Sequence, residues 1–332
     1  LGPGRRAAEA GWRFVALGDR RALDRHALAA PEALCVERDV AIWHGHDYKT
    51  NLYGLLLRRR LRKRGRTLRL ATTVHGWVQR TWKTPLYWAI DRWCIKRYEQ
   101  VIAVSSDLER TCLAFGVDRE RLTHVPNAID TEAFRRRVSA ALAKTRDGVP
   151  PERLLIGAVG RLSPEKGFDH LVDAVDGLAA EGLDLELWIA GEGPERAAPE
   201  RRIAASRARI RPPGWRAEVR DLSEALEVYC LSSLREGLPN VVLEAMALEV
   251  PVLATRSGGM EAFARDGEDA LLVEPGDPAA LAAALRRLAT DAALRSRLAR
   301  AARARIETDG SFARRMERVR AIYDRLLAAP ER

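Results

Sequence analysis

Five absences narrow the field before any motif is read. The chain has 332 residues and only four cysteines, Cys35, Cys94, Cys112 and Cys230. They are scattered, with no CxxC pair, so neither a zinc site nor a disulfide framework is indicated. No apolar run reaches the roughly 18 residues that span a bilayer. Residues 1–11 are rich in Gly, Pro and Arg without an apolar centre, and do not read as a signal peptide. A reducing, cytoplasmic setting is the default for such a chain. No GxGxxG follows a strand-like run, which argues against a dinucleotide-dependent oxidoreductase. No His, Cys, Asp and Glu constellation points to a metal. Asp184-Leu185-Glu186 superficially resembles an acidic metal motif, but it lies at a strand entry far from the loops that carry chemistry.

What is present is enough chain for two domains and an uneven charge. The net charge is +10. Residues 1–150 carry 29 Lys+Arg against 16 Asp+Glu, a net of +13, and residues 151–332 carry 27 against 30, a net of −3. The halves therefore suit different partners. Arg58 to Arg66 holds seven basic residues in nine. A solvated helix end explains such a run, as does an anionic surface. Trp77, Trp82, Tyr87, Trp88 and Trp93 follow, and aromatics mixed with Lys and Arg suit either a core or a membrane interface. A basic first half also suits nucleic acid, yet no nucleic-acid-binding motif is present.

The order of elements predicts a parallel, doubly wound α/β arrangement. Residues 1–11 read as the tail of a helix and Arg13–Leu17 as a strand. Further strands are expected at Val40–Trp43, Leu68–Val74, Val101–Val104 and Leu122–Val125, with a helix from Asp47 to Arg64. Residues 131–151, polar and ending in Pro150-Pro151, read as a linker. A second alternating set follows: strands at Leu154–Gly160, Leu185–Ala190, Leu226–Leu231, Val250–Ala254 and Ala270–Val273. Gly191-Glu192-Gly193-Pro194 reads as a turn, Gly214-Trp215-Arg216 as a loop, and residues 278–329 as helical with an interruption at Asp309-Gly310-Ser311.

The densest signal is Arg235-Glu236-Gly237-Leu238-Pro239-Asn240-Val241-Val242-Leu243-Glu244-Ala245-Met246-Ala247. It reads as a loop turning into a helix, with Pro239 suited to the first turn and Val241, Val242, Ala245 and Met246 on one apolar face. A helix N-terminus offers free N–H groups and partial positive charge. Two glutamates, Glu236 and Glu244, bracket that turn. Dipole complementarity accounts for acids near a helix start; hydroxyl donors brought by a sugar account for them as well. Gly160-Arg161-Leu162-Ser163-Pro164-Glu165-Lys166-Gly167 is a second strand-to-helix turn. Arg161 and Lys166 oppose the helix dipole there, but a guanidinium fork and an ammonium suit a diphosphate.

Both segments, in this order, resemble the donor-site motifs of glycosyltransferase family 4, and the likeness extends over essentially the whole chain. That resemblance implies a GT-B fold: two Rossmann-like domains facing a cleft, with a C-terminal helix crossing back to the first. It implies an N-terminal acceptor domain over 1–130, a linker at 131–151, a nucleotide-sugar domain over 152–310 and the returning helix at 311–332. The family's opening strand, glycine loop and most of the first helix have no counterpart here, so the first domain is expected to be truncated. Within the family, Arg161 and Lys166 bind the donor diphosphate and Glu244 the ribose. Glu236, with the N–H groups of Gly237, Leu238 and Asn240 in the loop turned by Pro239, holds the transferred hexose, while Gly214 and Trp215 receive the base. Ser257-Gly258-Gly259 is similar to a second glycine loop. His75 stands where the family places a histidine near the reacting sugar. His46 and Asp47 are acceptor-side candidates, with Asp47 equally suited to cap a helix. Ala128 replaces a usual Gly after Pro126-Asn127, and Ser232 a common Pro.

The expected activity is retaining transfer of a hexosyl unit from a UDP- or GDP-linked sugar to a glycan or lipid-linked acceptor. It belongs in cell-surface polysaccharide or glycolipid synthesis, needs no metal or cofactor, and sits in the cytoplasm at the inner face of the plasma membrane. Peripheral contact with anionic lipid through the basic half, and no nucleic acid, complete that expectation. The alternative is a non-catalytic truncated relative that binds a membrane or a glycan.

Overall fold

The computed structural model describes residues 11, 14–15, 28–76, 84–193, 197–214 and 219–330. Most of the helix tail expected over 1–11, and Trp77, Trp82, Pro194, Trp215 and Arg216, lie outside them. Phe14 and Val15, inside the strand expected over Arg13–Leu17, form no strand and are exposed.

Among the described residues the first unit takes those up to Ala103, Leu108–His124, and those from Val319 on. Its elements run α1 (Ala29–Glu37), β1 (Ile42–Gly45), α2 (Tyr48–Arg62), β2 (Arg69–Val74), α3 (Thr84–Ile95), β3 (Gln100–Ala103), α4 (Ser106–Ala114) and β4 (Leu122–His124). The four strands pair in parallel in the order β1-β2-β3-β4. Every step goes the same way, so right-handed crossovers put their helices on one face. Leu57, Leu61, Leu70, Tyr98, Val101 and Ala103 form the core. Asp47 starts α2 through a capping box: Thr50 N donates to its carboxylate at 2.7 Å, and its own N donates back to Thr50 Oγ1 at 3.0 Å.

The second unit, Val104–Asp107 and Val125–Arg318, continues with α5 (Ala140–Arg146), β5 (Leu154–Val159), α6 (Phe168–Ala180), β6 (Leu185–Ala190), α7 (Ala197–Ala205), β7 (Arg209–Gly214), α8 (Val219–Ala225) and β8 (Val228–Leu231). Then come α9 (Asn240–Ala247), β9 (Val252–Thr255), α10 (Gly259–Phe263), β10 (Leu271–Val273), α11 (Pro278–Thr290), α12 (Ala292–Asp309) and the start of α13 (Phe312–Ala328), whose residues from Val319 on belong to the first unit. The sheet order is β10-β9-β8-β5-β6-β7, all parallel. Alternate residues of its strands feed two cores: Leu155, Trp188, Tyr229 and Met246 on one side, and Ile156, Leu187, Val228 and Leu285 on the other.

Several boundaries move from the sequence-based expectation. β1, β8 and β9 each begin two residues late. For β9 the reason is local: Val250 N still closes α9 onto Ala245 O. Segment 131–151, expected as a linker, is folded into the second unit. The Lys144 ammonium is fully buried, bonded to Glu227 and to the carbonyls of Pro151 and Arg153. The loop expected at 214–216 hides the end of β7, whose sequence Arg209-Ile210-Arg211-Pro212-Pro213-Gly214 reads as strand-breaking. Two prolines are tolerated because β7 is the last strand of its sheet. Asp184 and Glu186 serve that edge, held by Arg153, Arg209 and Arg211.

Candidate functional site

In the second sheet the strand order reverses between β5 and β8. Open α/β sheets bind ligands at such a switch point, outside the carboxyl ends of the strands. The loops leaving those two strands are 160–167, after β5, and 232–239, after β8. They hold Arg161, Lys166 and Glu236.

The two loops are stitched together through backbone. Leu234 N donates to Glu165 O at 2.8 Å, and Ser232 Oγ donates to Lys166 O at 2.9 Å. Gly167 turns the chain in the left-handed region, φ 58°, where a Cβ would lie 2.3 Å from Ser232 O. Ser232, found where a Pro is common in the resembling family, is therefore a structural donor. The turn after β6 braces the first loop: Glu192 O accepts from Leu162 N at 3.0 Å. The glycine loop after β9 braces the second: a Cβ on Gly259 would lie 2.4 Å from the Gly237 carbonyl carbon. Asn127 Nδ2 donates to Leu238 O at 3.2 Å.

On this frame the Lys166 ammonium contacts the Glu236 carboxylate, both only partly exposed. Ser233 Oγ lies 3.3 Å from the same Glu236 oxygen. Partial burial strengthens that attraction over a surface pair. Arg161 pairs with Glu165 at 3.1 Å and keeps more exposure. Pro239 is the N-cap of α9 rather than part of its first turn, so the helix begins at Asn240, one residue later than the sequence indicated. Val242, Leu243, Ala245, Met246 and Ala247 anchor α9 in the core while Asn240 stays exposed. Glu244 lies one turn inside α9, half-buried, and desolvation raises its carboxyl pKa above the usual range. Among the described residues no cation pairs with it, and a half-buried carboxylate of that kind suits hydroxyl donors. Gly214 ends β7.

In the first unit, His46 and His75 each follow the carboxyl end of a strand, β1 and β2. His46 Nδ1 lies 3.1 Å from His75 Nε2, with the rings stacked. His44 extends the row: its ring stacks on His46 at 4.6 Å, Nε2 lies 2.8 Å from Thr73 Oγ1, and Nδ1 meets the Tyr323 hydroxyl at 2.5 Å. The Asp47 carboxylate caps α2, the second of the two roles its sequence position offered. His44 and Tyr323 were not singled out from the sequence. The i, i+2 spacing of His44 and His46 along a strand was the signal for the first; Tyr323, far along the chain on α13, gave none. Among the described residues no group of three or more His, Cys, Asp or Glu is placed to hold a metal.

Two family models cover most of the chain. The model described as glycosyl transferases group 1 matches residues 153–291, and that for Glycosyltransferase Family 4 matches residues 4–133. This chain belongs to glycosyltransferase family 4. Its two parallel-sheet α/β units match GT-B structures. A glycosyltransferase from Rickettsia africae superposes with a TM-score of 0.79 at 17% identity, covering 99% of this chain and 89% of that one. An Anabaena protein crystallised with UDP and glucose gives 0.77 at 19% identity, covering 90% and 81%. Among curated sequences, a lipopolysaccharide core biosynthesis glycosyltransferase of Rhizobium meliloti is 34% identical over 191 residues, 57% of this chain and 54% of that protein. The 2-deoxystreptamine glucosyltransferase of Streptomyces kanamyceticus is 33% identical over 223 residues, 63% and 56%. The chain thus spans about half the length of these curated family members.

Proposed function

We propose that this chain is a retaining glycosyltransferase that moves a hexosyl unit from a UDP- or GDP-linked sugar to a glycan or lipid-linked acceptor. The observation that carries this reading is the meeting of Lys166 and Glu236 on two braced loops at the switch point of the second sheet. In the proposed reaction the bond between the sugar's anomeric carbon and the β-phosphate oxygen breaks. Arg161, Lys166 and the N–H groups at the start of α9 hold the charge that develops on the diphosphate. The acceptor oxygen bonds to the anomeric carbon on the face the phosphate leaves, and its proton passes to the leaving phosphate oxygen. No enzymic nucleophile and no metal are required. Glu244 holds the ribose hydroxyls and Glu236 the hexose, while Gly214 and Trp215 receive the base. His75 is assigned to the reacting sugar and His46 to the acceptor.

The curated lipopolysaccharide enzyme of Rhizobium meliloti supports a role in cell-surface polysaccharide or glycolipid synthesis. The basic run Arg58–Arg66, with Leu86 and Trp93 exposed on α3, supports peripheral contact at an anionic membrane face; a cytoplasmic location at the inner face and no nucleic acid partner complete the proposal. Calorimetric titration with UDP and GDP, followed by hydrolysis assays on their hexose conjugates, tests the assignment. Saturable binding of one nucleotide, lost in Lys166→Ala, supports it and names the base. No binding of either, by this chain or by one extended upstream, would overturn it in favour of a non-catalytic membrane- or glycan-binding role.

A further inference from the structure

A strongly basic cavity of the first unit lies at the opposite end of its sheet from the histidines. It has a volume of about 850 Å³ and collects the starts of three strands: Arg69 opens β2, Glu99 precedes β3 and Arg121 precedes β4. Arg58, Arg59 and Arg62 reach it from the last turns of α2, and Arg97 from the end of α3. With Arg66, seven arginines line it against two glutamates, Glu99 and Glu120, a net of +5. Six residues of β2 separate Arg69 from His75, about 20 Å at strand rise.

The ordinary account of α2's arginines is its C-terminal dipole, and Arg60, which turns away to Glu32, fits it. That account does not reach Arg69, Arg97 or Arg121, which lie on other elements. Arg69 is the decisive residue. It is 8% exposed on a central strand, and its one recorded bond among the described residues is to the carbonyl of Ala329. A guanidinium has five N–H donors, so Arg69, which lines the cavity and spends one of its nitrogens on Ala329, has donors left to offer a ligand. Glu99 neutralises one member of the set, Arg58, at 3.1 Å and also accepts from Leu70 N at 3.0 Å, so it is already committed and the net stays +5. Among the described residues Arg59 and Arg62 form no ion pair. Like charges gathered this way repel one another unless a counter-charge joins them.

We infer that this cavity is a second anion site, independent of the donor site, for a phosphate-bearing ligand with at least two negative charges. Arginine forks match phosphate oxygens bidentately, and the volume suits a group up to nucleotide size. The same chemistry is offered by a soluble phosphorylated molecule and by the phosphate monoester head group of a membrane lipid.

The test titrates inorganic pyrophosphate into the full chain in three forms: unaltered, Arg59→Glu/Arg62→Glu, and Arg161→Ala/Lys166→Ala. Arg59 and Arg62 are exposed, so their replacement spares the core. Binding that survives in the Arg161/Lys166 variant and weakens about tenfold or more in the Arg59/Arg62 variant supports the site; a tenfold change is about 1.4 kcal/mol. Binding that disappears with Arg161 and Lys166, or is unchanged by Arg59→Glu/Arg62→Glu, overturns it. A parallel sedimentation with phosphatidylcholine vesicles, with and without phosphatidic acid, distinguishes the sources. Sedimentation with phosphatidic acid that pyrophosphate reverses assigns a lipid head group, and pyrophosphate binding without sedimentation assigns a soluble ligand. Sedimentation with no pyrophosphate binding reduces the feature to surface adsorption and overturns the cavity.

Discussion

The two sheets follow one construction rule and place chemistry differently. In the second sheet the order reverses between β5 and β8, and loops from both strands converge there. In the first, the described strands run β1 to β4 in one direction, with no reversal to open a crevice. The second unit accordingly presents a cation–carboxylate pair on loops fixed by backbone bonds and close glycine contacts. The first presents a row of stacked rings just past two adjacent strand ends. Charge held rigidly suits a leaving diphosphate, whose negative charge grows during reaction. Imidazoles suit hydrogen bonds to hydroxyls. In the proposed function leaving-group chemistry falls to the second unit and sugar or acceptor positioning to the first.

The sharpest way to break that division is Lys166→Ala. It removes the ammonium and leaves Glu236 without its cation. Loss of one preorganised electrostatic partner predicts a fall in kcat of about 100- to 1,000-fold. A variant within fivefold of the unaltered protein would move leaving-group stabilisation elsewhere.

Glu244→Gln separates binding from folding. Burial raises the Glu244 carboxyl above its ordinary pKa, so the fold works against the ionised form. That cost is present at neutral pH and disappears as pH falls through the raised value. The glutamine variant should therefore melt higher than the unaltered protein at pH 7, with the difference vanishing in acid. A neutral amide accepts more weakly from ribose hydroxyls, so nucleotide affinity should fall about 10- to 100-fold. Higher melting with unchanged affinity would remove Glu244 from the donor site.

His75→Ala tests the other unit. A hydrogen bond to one sugar hydroxyl predicts a loss of about tenfold in kcat/KM, read with the nucleotide affinity unchanged. An affinity loss equal to that of Lys166→Ala would erase the contrast between the units.

The uneven legibility of the chain follows from the same contrast. Gly160 to Gly167 and Arg235 to Ala247 are local: a strand end, a turn and a helix start lie within a few residues, so sequence order nearly reproduces spatial order. The strand-to-helix alternation made the parallel α/β plan equally readable. β7 was hidden because an edge strand tolerates Pro212 and Pro213 where the sequence reads a break. Lys144 was hidden because its partner Glu227 is 83 residues away. The arginine cavity was half legible: the run from Arg58 to Arg66 is evident, but Arg97 and Arg121 join it only through the alignment of strand starts. Asp47 showed the limit of residue type alone, since an acid before a helix serves equally as cap or ligand, and here the capping box holds it.

Tyr323→Phe is the smallest and most discriminating change. The Tyr323 hydroxyl meets His44 Nδ1, while His44 Nε2 faces Thr73 Oγ1 and its ring stacks on His46. Removing the hydroxyl leaves the stack and takes away one fixed partner, which loosens the choice of His44 tautomer. Burial also raises the Tyr323 pKa, so the phenol stays neutral throughout the working range and acts only as a hydrogen-bonding group. If the histidine row positions acceptor or sugar, the variant should lose about two- to fivefold in kcat/KM for the acceptor, about 0.4–1 kcal/mol, with nucleotide affinity unchanged. If the row is only packing, melting temperature falls and kcat/KM stays put. That second outcome would leave all of the chemistry on the loops at the second sheet's reversal.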